Sequence, residues 1–288
     1  MRLAFLGTPE MAVPPLRALV AAGHEIVLVV TRADRRRGRG SATSPSPVKA
    51  AAIELGLPVT HDIDDLLTIE AELGVVVAYG RIIKPHVLAA LPMINVHFSL
   101  LPRWRGAAPV ERALMAGDAV TGVCIMGVSN ALDTGPVYAR REVSIGPRAT
   151  ATSLRAELVD VGTRLLVDTL ADPLPTPTPQ DGDVTYAEKI TPDELRLAWT
   201  RPAVELDRWV RVGGAWTTFR DRRLKVHDAA VVPGADGEPG RLGADLATVA
   251  TGDGGLRLLT VQPEGKAAMR WADFANGARP VAGEPLGP

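Results

Sequence analysis

The chain has a single cysteine, Cys124, in 288 residues, so it can build neither an internal disulfide nor a cysteine metal cluster. Cys124 lies in the apolar run 122–128 and reads as a small core residue rather than a nucleophile. The five histidines, His24, His61, His86, His97 and His227, show no paired spacing, and no metal is expected. No Ser-His-Asp or Cys-His arrangement is evident, so covalent nucleophilic catalysis is not expected. No apolar run approaches the roughly 18 residues a membrane-spanning helix needs. The opening MRLAFLGTPE is too short in its apolar part for a secretory leader and reads as a first strand, and a cytoplasmic enzyme is expected. The formal net charge is only −1, so affinity for a polyanion has to come from local clusters.

What is present is ordinary for a globular protein: 46% hydrophobic and 23% charged residues, in a chain long enough for two domains. Residues 3–6 and 26–30 are β-rich and flank a helical stretch at 14–22, the beginning of a parallel sheet. The turn Gly7-Thr8-Pro9 lacks the full glycine fingerprint of a dinucleotide site. Helices are expected at 48–55, 85–90, 109–116 and 151–170, and strands at 75–79, 122–128 and 137–144. Leu154, Leu158, Val161, Leu165 and Leu166 form one core stripe of the long helix. This alternation predicts a doubly wound, Rossmann-like parallel sheet.

Pro173, Pro175, Pro177 and Pro179 then predict an extended, stiff spacer that ends the catalytic domain. The expected organisation is a catalytic domain at 1–171, a proline-rich linker at 172–190 and a carboxyl-terminal domain at 191–288. In the last, residues 191–210 read as a helix pair or a helix with an entry turn. Short strands at 224–226, 240–242, 248–250 and 256–261 suggest a small barrel. From residue 181 on there are 14 Lys plus Arg against 16 Asp plus Glu. Arg220, Arg222, Arg223 and Lys225 are the local basic patch, either a contact surface or a solvated strand edge.

The chain is organised around residues 94–109, INVHFSLLPRWRGAAP. Asn95 and His97 are two apart on an apolar strand, so both face one side of the sheet. The turn 99–102 ends the strand, and Arg103-Trp104-Arg105-Gly106 follows on a loop, at the strand end where open α/β sheets carry their sites. On these two residues alone a satisfied core pair and a catalytic pair both stand. A second polar segment, 33–47, carries Arg35, Arg36, Arg37 and Arg39 among glycines and prolines. It reads as a solvated loop or as a phosphate-binding arm.

INVHFSLLPRWRGAAP, with ALDTG at 131–135, resembles the signature of the folate-dependent formyltransferases. The resemblance runs from Leu3 to about Met269 through GTPEMAVPPL (7–16), DRRRGRG (34–40), SPSPVK (44–49), VVVAYG (75–80), VTYAEKI (184–190) and VQPEGKAAM (261–269), and is to members acting on aminoacyl-tRNA. It implies transfer of the formyl group of 10-formyltetrahydrofolate to the α-amino group of initiator methionyl-tRNA. It also implies an OB-like carboxyl-terminal β-barrel that helps to bind tRNA. The implied catalytic residues are Asn95, His97 and Asp133. Ser99, Leu100, Leu101, Pro102, Asn130, Ala131 and Leu132 would bind folate. Arg35, Arg36, Arg37, Arg39 and Arg105 would meet tRNA, with Arg39 the principal arginine of the arm. Arg105 has a second reading, as an orienter of the neighbouring loop, and Tyr79 and Ile82 read either as the apolar wall of the folate site or as core.

Such a transfer needs no enzyme nucleophile, because the acceptor amine attacks directly. Asn95 and an imidazolium His97 would donate to the developing oxyanion, and Asp133 would pass the amine proton through a water. Ala131 stands where the family usually has glycine, a strain of about 1 kcal/mol if that residue is left-handed. Met11 replaces an aromatic, and residues 211–216 are shorter than usual and lack prolines. Rival readings are formyl transfer to a small amine, an inactive RNA-binding module, and a hydrolase. The arginine loop and the second domain favour tRNA, and a monomer is expected.

Overall fold

In the computed structural model, which describes residues 1–36 and 43–287, the runs apolar on both faces become the inner strands of a sheet. Arg2–Gly7 buries its last five residues, and Leu73–Val77 buries all five. Strands covered on both faces carry such continuous hydrophobic runs. The sheet has seven strands in the order Val137–Ser144, Val120–Gly127, Met93–His97, Leu73–Val77, Arg2–Gly7, Glu25–Val30, Val59–Thr60.

From Met93–His97 to Val59–Thr60 the strands are parallel. Val120–Gly127 and Val137–Ser144 are antiparallel, which corrects the wholly parallel expectation to a mixed sheet. The connection between those two strands is too short for a crossover, so the chain returns as a hairpin. Val137–Ser144 is the edge strand, and its exposed Arg140, Arg141 and Glu142 suit an edge.

Helix positions follow local chemistry. Val13–Ala21 has proline in its first turn, where no N–H is needed. Pro47–Glu54 is capped by Ser46, whose Oγ accepts from Lys49 N at 3.1 Å. Ala151–Leu170 forms over the expected twenty residues. Ala4, Leu6, Leu28, Val30, Val76 and Met93 anchor one core cluster on the sheet.

Two compact units emerge. The first comprises Met1–Val110, Val120–Ser144 and Arg155–Glu188; the second comprises Glu111–Ala119, Ile145–Leu154 and Lys189–Pro288. The proline-rich segment, expected as a stiff spacer, is tied as a strap within the first unit. Thr178 exchanges hydrogen bonds with Val137 (2.8 and 2.9 Å), and Tyr186–Ala187 pairs in parallel with Arg105–Gly106. Prolines alternate here with residues that keep their N–H, so an extended run can still pair.

The second unit holds an antiparallel sheet: Trp216–Phe219, Arg222–Val232, Gly255–Pro263 and Thr248–Ala250, with Met269–Arg270 added on Gly255–Pro263. Trp199, Leu206, Val226, Leu258 and Trp271 belong to its core. Within 191–210 the helix begins only at Ala203 and extends to Val212, because Pro192 and Pro202 punctuate what precedes it. Over 240–242 only Arg241 and Leu242 make isolated bridges, and no strand forms. An unexpected helix, Trp271–Ala278, is held by aromatic packing, with Phe274 edge-on to Phe219 at 5.4 Å between centroids.

Candidate active site

The site grows from the carboxyl end of Met93–His97, which lies between parallel Leu73–Val77 and antiparallel Val120–Gly127. Asn95 is half-buried and His97 is buried. Among the described residues no side-chain hydrogen bond engages the Asn95 amide. His97 Nε2 lies 2.9 Å from the Trp104 carbonyl oxygen. A carbonyl only accepts, so Nε2 carries the proton and Nδ1 is the nitrogen turned elsewhere. His97 Nδ1 faces Asp133 Oδ2 at 3.7 Å, longer than a hydrogen bond.

The loop after the strand folds back to serve this ring. Trp104 adopts φ 62°, an uncommon conformation for a bulky residue. That turn aims its carbonyl at His97, and its N–H is satisfied by Thr185 Oγ1 at 2.8 Å. Ser99 Oγ donates to the Arg103 carbonyl at 2.6 Å. Gly106, at φ 127°, donates its N–H to Asp133 Oδ2 at 2.9 Å. A Cβ there would lie 2.7 Å from the Ala187 carbonyl oxygen, so the strand of the strap leaves room for glycine alone.

Asp133 arrives on the loop after Val120–Gly127 and is left-handed at φ 51°. Ala131 is not among the left-handed residues, so the expected alanine strain does not arise. The Ser129 and Thr134 hydroxyls lie 2.9 Å apart and each lies 3.1 Å from the Ala131 carbonyl oxygen, so their two protons are shared among three close oxygens that close this loop. Gly135 meets the start of its own hairpin: a Cβ would lie 1.7 Å from the Gly127 carbonyl oxygen.

The structure thus brings His97 and Asp133 together, with Asn95 on the same strand face. Of the other expected residues, Ser99, Leu101 and Pro102 are buried, Leu101 against Cys124, Met126 and Val137. Leu100 is half-buried, while Asn130, Ala131 and Leu132 are exposed. Tyr79 is buried with its hydroxyl unpartnered among the described residues, and Ile82 is 87% exposed. Arg35 and Arg36 pair their backbone with Thr43 and Ser44, and Arg37 and Arg39 lie outside the described residues.

Arg105 donates from Nε and Nη2 to Gln180 Oε1 at 3.0 and 2.6 Å, an orienting contact. In the second unit, Arg220 forks onto Glu284 at 2.6 and 3.1 Å, and Arg223 lies 3.9 Å over the Trp216 ring. Only Arg222 and Lys225 of that patch show no such engagement among the described residues. Sequence reasoning missed Gln180, Thr185 and the Trp104 carbonyl. Thr185 sits inside the VTYAEKI motif; Gln180 carries no local signal, being one polar residue after a proline tract.

Among the described residues no group of three or more His, Cys, Asp or Glu side chains converges, and no helix is long and apolar enough to cross a membrane. Residues 1–170 match the family model "Formyl transferase", and residues 189–279 match "Formyl transferase, C-terminal domain". The methionyl-tRNA formyltransferase of Roseobacter denitrificans is 48% identical over 295 residues, 96% of each chain. That of Methylococcus capsulatus is 44% identical over 308 residues, 100% of each chain. Among solved structures, HypX from Aquifex aeolicus in complex with tetrahydrofolic acid aligns with a TM-score of 0.66 at 18% identity, over 99% of this chain and 49% of its own, so the chain spans about half of it. An N-formyltransferase from Helicobacter canadensis, in complex with folinic acid and dTDP-3-aminofucose, aligns with a TM-score of 0.67 at 14% identity, over 91% of this chain and 99% of its own. These two show the fold; the near-full-length sequence matches show that the chain is a transferase and belongs to the formyl transferase family, whose methionyl-tRNA formyltransferases are its relatives.

Proposed function

We propose that the chain transfers the formyl group of 10-formyltetrahydrofolate to the α-amino group of initiator methionyl-tRNA, in the cytoplasm and as a monomer. The observation that carries the chemistry is the pairing of His97 with Asp133, together with an Asn95 amide on the same strand that no side-chain hydrogen bond engages among the described residues. The folate supplies a formyl group on nitrogen and departs as a secondary amine. Exposed Leu132 and Ile82, at 65% and 87%, offer apolar surface for a flat ring, and the carbonyl groups of Asn130 and Leu132 offer acceptors for its edge.

The acceptor amine forms the new C–N bond, and the carbonyl electron pair moves onto oxygen. Asn95 donates its amide N–H to that oxygen. His97, its Nε2–H committed to Trp104, donates from Nδ1 in the doubly protonated form. Fixed donors of this kind contribute on the order of 3 kcal/mol each to the transition state. Asp133, fixed by the Gly106 N–H, accepts the amine proton through a water and returns it to the folate nitrogen as the old C–N bond breaks.

The acceptor end of the tRNA is met by the arm carrying Arg35, Arg36, Arg37 and Arg39, with Arg39 foremost. The carboxyl-terminal unit, taken as OB-like, adds backbone contacts. The test is transfer of labelled formyl to methionyl initiator tRNA. Wild type is expected to transfer, His97→Ala to lose turnover, and Arg39→Ala to raise KM for tRNA and lower its salt slope by about 1. Release of formate, or formylation of small amines alone, refutes the tRNA reading.

A further inference from the structure

We propose that Gln180 is the positioning residue that sets Asp133 for proton transfer, by tying the Asp133 loop to Arg105. This rests on the role given to Asp133 above. The Gln180 amide nitrogen donates to the Asp133 carbonyl at 2.9 Å and to the Gly135 carbonyl at 2.8 Å. Its oxygen accepts from Arg105 Nε and Nη2 at 3.0 and 2.6 Å. Two donors and two acceptor positions are all that a glutamine amide has, and each is used. One side chain therefore joins three segments that share no local sequence.

The direction of the constraint is set by what it grips. Asp133 is left-handed, a conformation non-glycine residues hold only when their surroundings impose it. The two carbonyls bonded by Gln180 bracket residue 134 and fix the peptide planes on either side of the turn. The carboxylate is fixed separately by the Gly106 N–H, and Gly106 follows Arg105 directly. Gln180 thus holds both ends of the Asp133 to Gly106 contact, its nitrogen on the Asp133 loop and its oxygen on the residue before Gly106. The strap that brings Gln180 here is anchored by the Thr178 pairing with Val137 on one side and by Tyr186–Ala187 on the other. The strap is thus part of the site's support.

The same geometry distinguishes two substitutions. Gln180→Glu keeps an oxygen for Arg105 but sets a second oxygen against the Asp133 and Gly135 carbonyls, so the Arg105 half survives and the loop half is repelled. Gln180→Met keeps the length and removes both. Displacing a reacting group by about 1 Å costs on the order of 10²-fold in turnover.

The experiment measures kcat and KM for methionyl initiator tRNA and 10-formyltetrahydrofolate in full-length Gln180→Glu, Gln180→Met, Asp133→Asn and the two double variants. The expected result is a loss of kcat on the order of 10²-fold in both Gln180 variants, with each KM within twofold of wild type. In the Asp133→Asn background the further loss is expected to shrink to less than threefold, because the group being positioned is gone. Wild-type kcat in a folded Gln180 variant overturns the proposal. So does an undiminished loss in the Asp133→Asn background, which would mark Gln180 as a general structural brace. Near wild-type kcat in Asp133→Asn alone instead overturns the Asp133 role, a separate failure of the reading beneath.

Discussion

Replacing Gly135 by alanine is expected to cost both stability and turnover, and the structure fixes the size of each. The new Cβ would sit 1.7 Å from the Gly127 carbonyl oxygen and 2.7 Å from its carbon, and both neighbours are backbone. Relief to 3.0 Å requires the two sides of the hairpin to part by about 1.3 Å. Two hydrogen bonds hold that closure, Gly127 N to Pro136 O at 2.8 Å and Gln180 Nε2 to Gly135 O at 2.8 Å. Losing both costs about 1–3 kcal/mol, at roughly 0.5–1.5 kcal/mol each, and residual overpacking adds about 1–3 kcal/mol. Asp133 is two residues away on the same turn, so a shift of this size is expected to lower kcat on the order of 10²-fold. Urea denaturation at pH 7 reads the first effect, and single-turnover formyl transfer at saturating substrates reads the second. A variant within 0.5 kcal/mol and twofold of wild type would show that the hairpin yields freely and would refute a rigid placement of Asp133.

Asn95→Ala is expected to lower kcat about 10²- to 10³-fold with little change in KM if, as proposed, its amide acts on charge that develops only in the transition state; steady-state kinetics check this, and a pure KM effect would make it a binding group. Ser46→Ala removes a helix cap and leaves the buried Thr31 hydroxyl, 2.8 Å away, without its partner. A loss of about 1–3 kcal/mol by urea denaturation is expected. Glu284 has its carboxyl held below the usual carboxylate range by the hydrogen bond from the Arg220 guanidinium. Its contribution to stability is therefore complete above the unfolded value of about 4.3 and lost as pH falls through the lower folded value. The stability gap between wild type and Glu284→Gln should accordingly narrow on acidification below that value; a constant gap down to pH 3 would count against the pair. Lys49, partly buried and 2.8 Å from Asp34, ties the SPSPVK segment to the start of the DRRRGRG segment, so on the proposed tRNA reading it is expected to act on tRNA use through that ion pair. Lys49→Asp should then be rescued by Asp34→Lys in KM for tRNA, whereas direct phosphate contact by Lys49 would leave the reversed pair as poor as the single variant.

Much of the site was legible because its signals are local. Asn95 and His97 share a face through the two-residue period of a strand, and the proline and glycine around them announce the turn and loop. The long helix was equally legible, its leucines and valine repeating on one stripe over twenty residues. Trp271–Ala278 was not, because it is eight residues long and is stabilised by tryptophan and phenylalanine packing rather than by its own propensity. The proline tract reads from the sequence as a stiff extended spacer, and its pairing through Thr178 was not legible, since extension alone does not say what the remaining N–H groups will pair with. Ala131 shows the opposite error: the motif suggested strain at one residue, and the turn places the left-handed conformation two residues later, at Asp133.

By itself the sequence determined most of the strands and helices of the sheet and, through its motifs, the family. The elements, and each motif taken singly, are encoded within about twenty neighbouring residues, where periodicity, capping and turn preference act. Only the tertiary structure decided that Trp104 orients His97, that Gly106 holds Asp133, and that Gln180 joins Arg105 to the loop bearing that carboxylate. Those hydrogen bonds join residues from 7 to 75 positions apart, and their partners meet only after the sheet has brought its strand ends together.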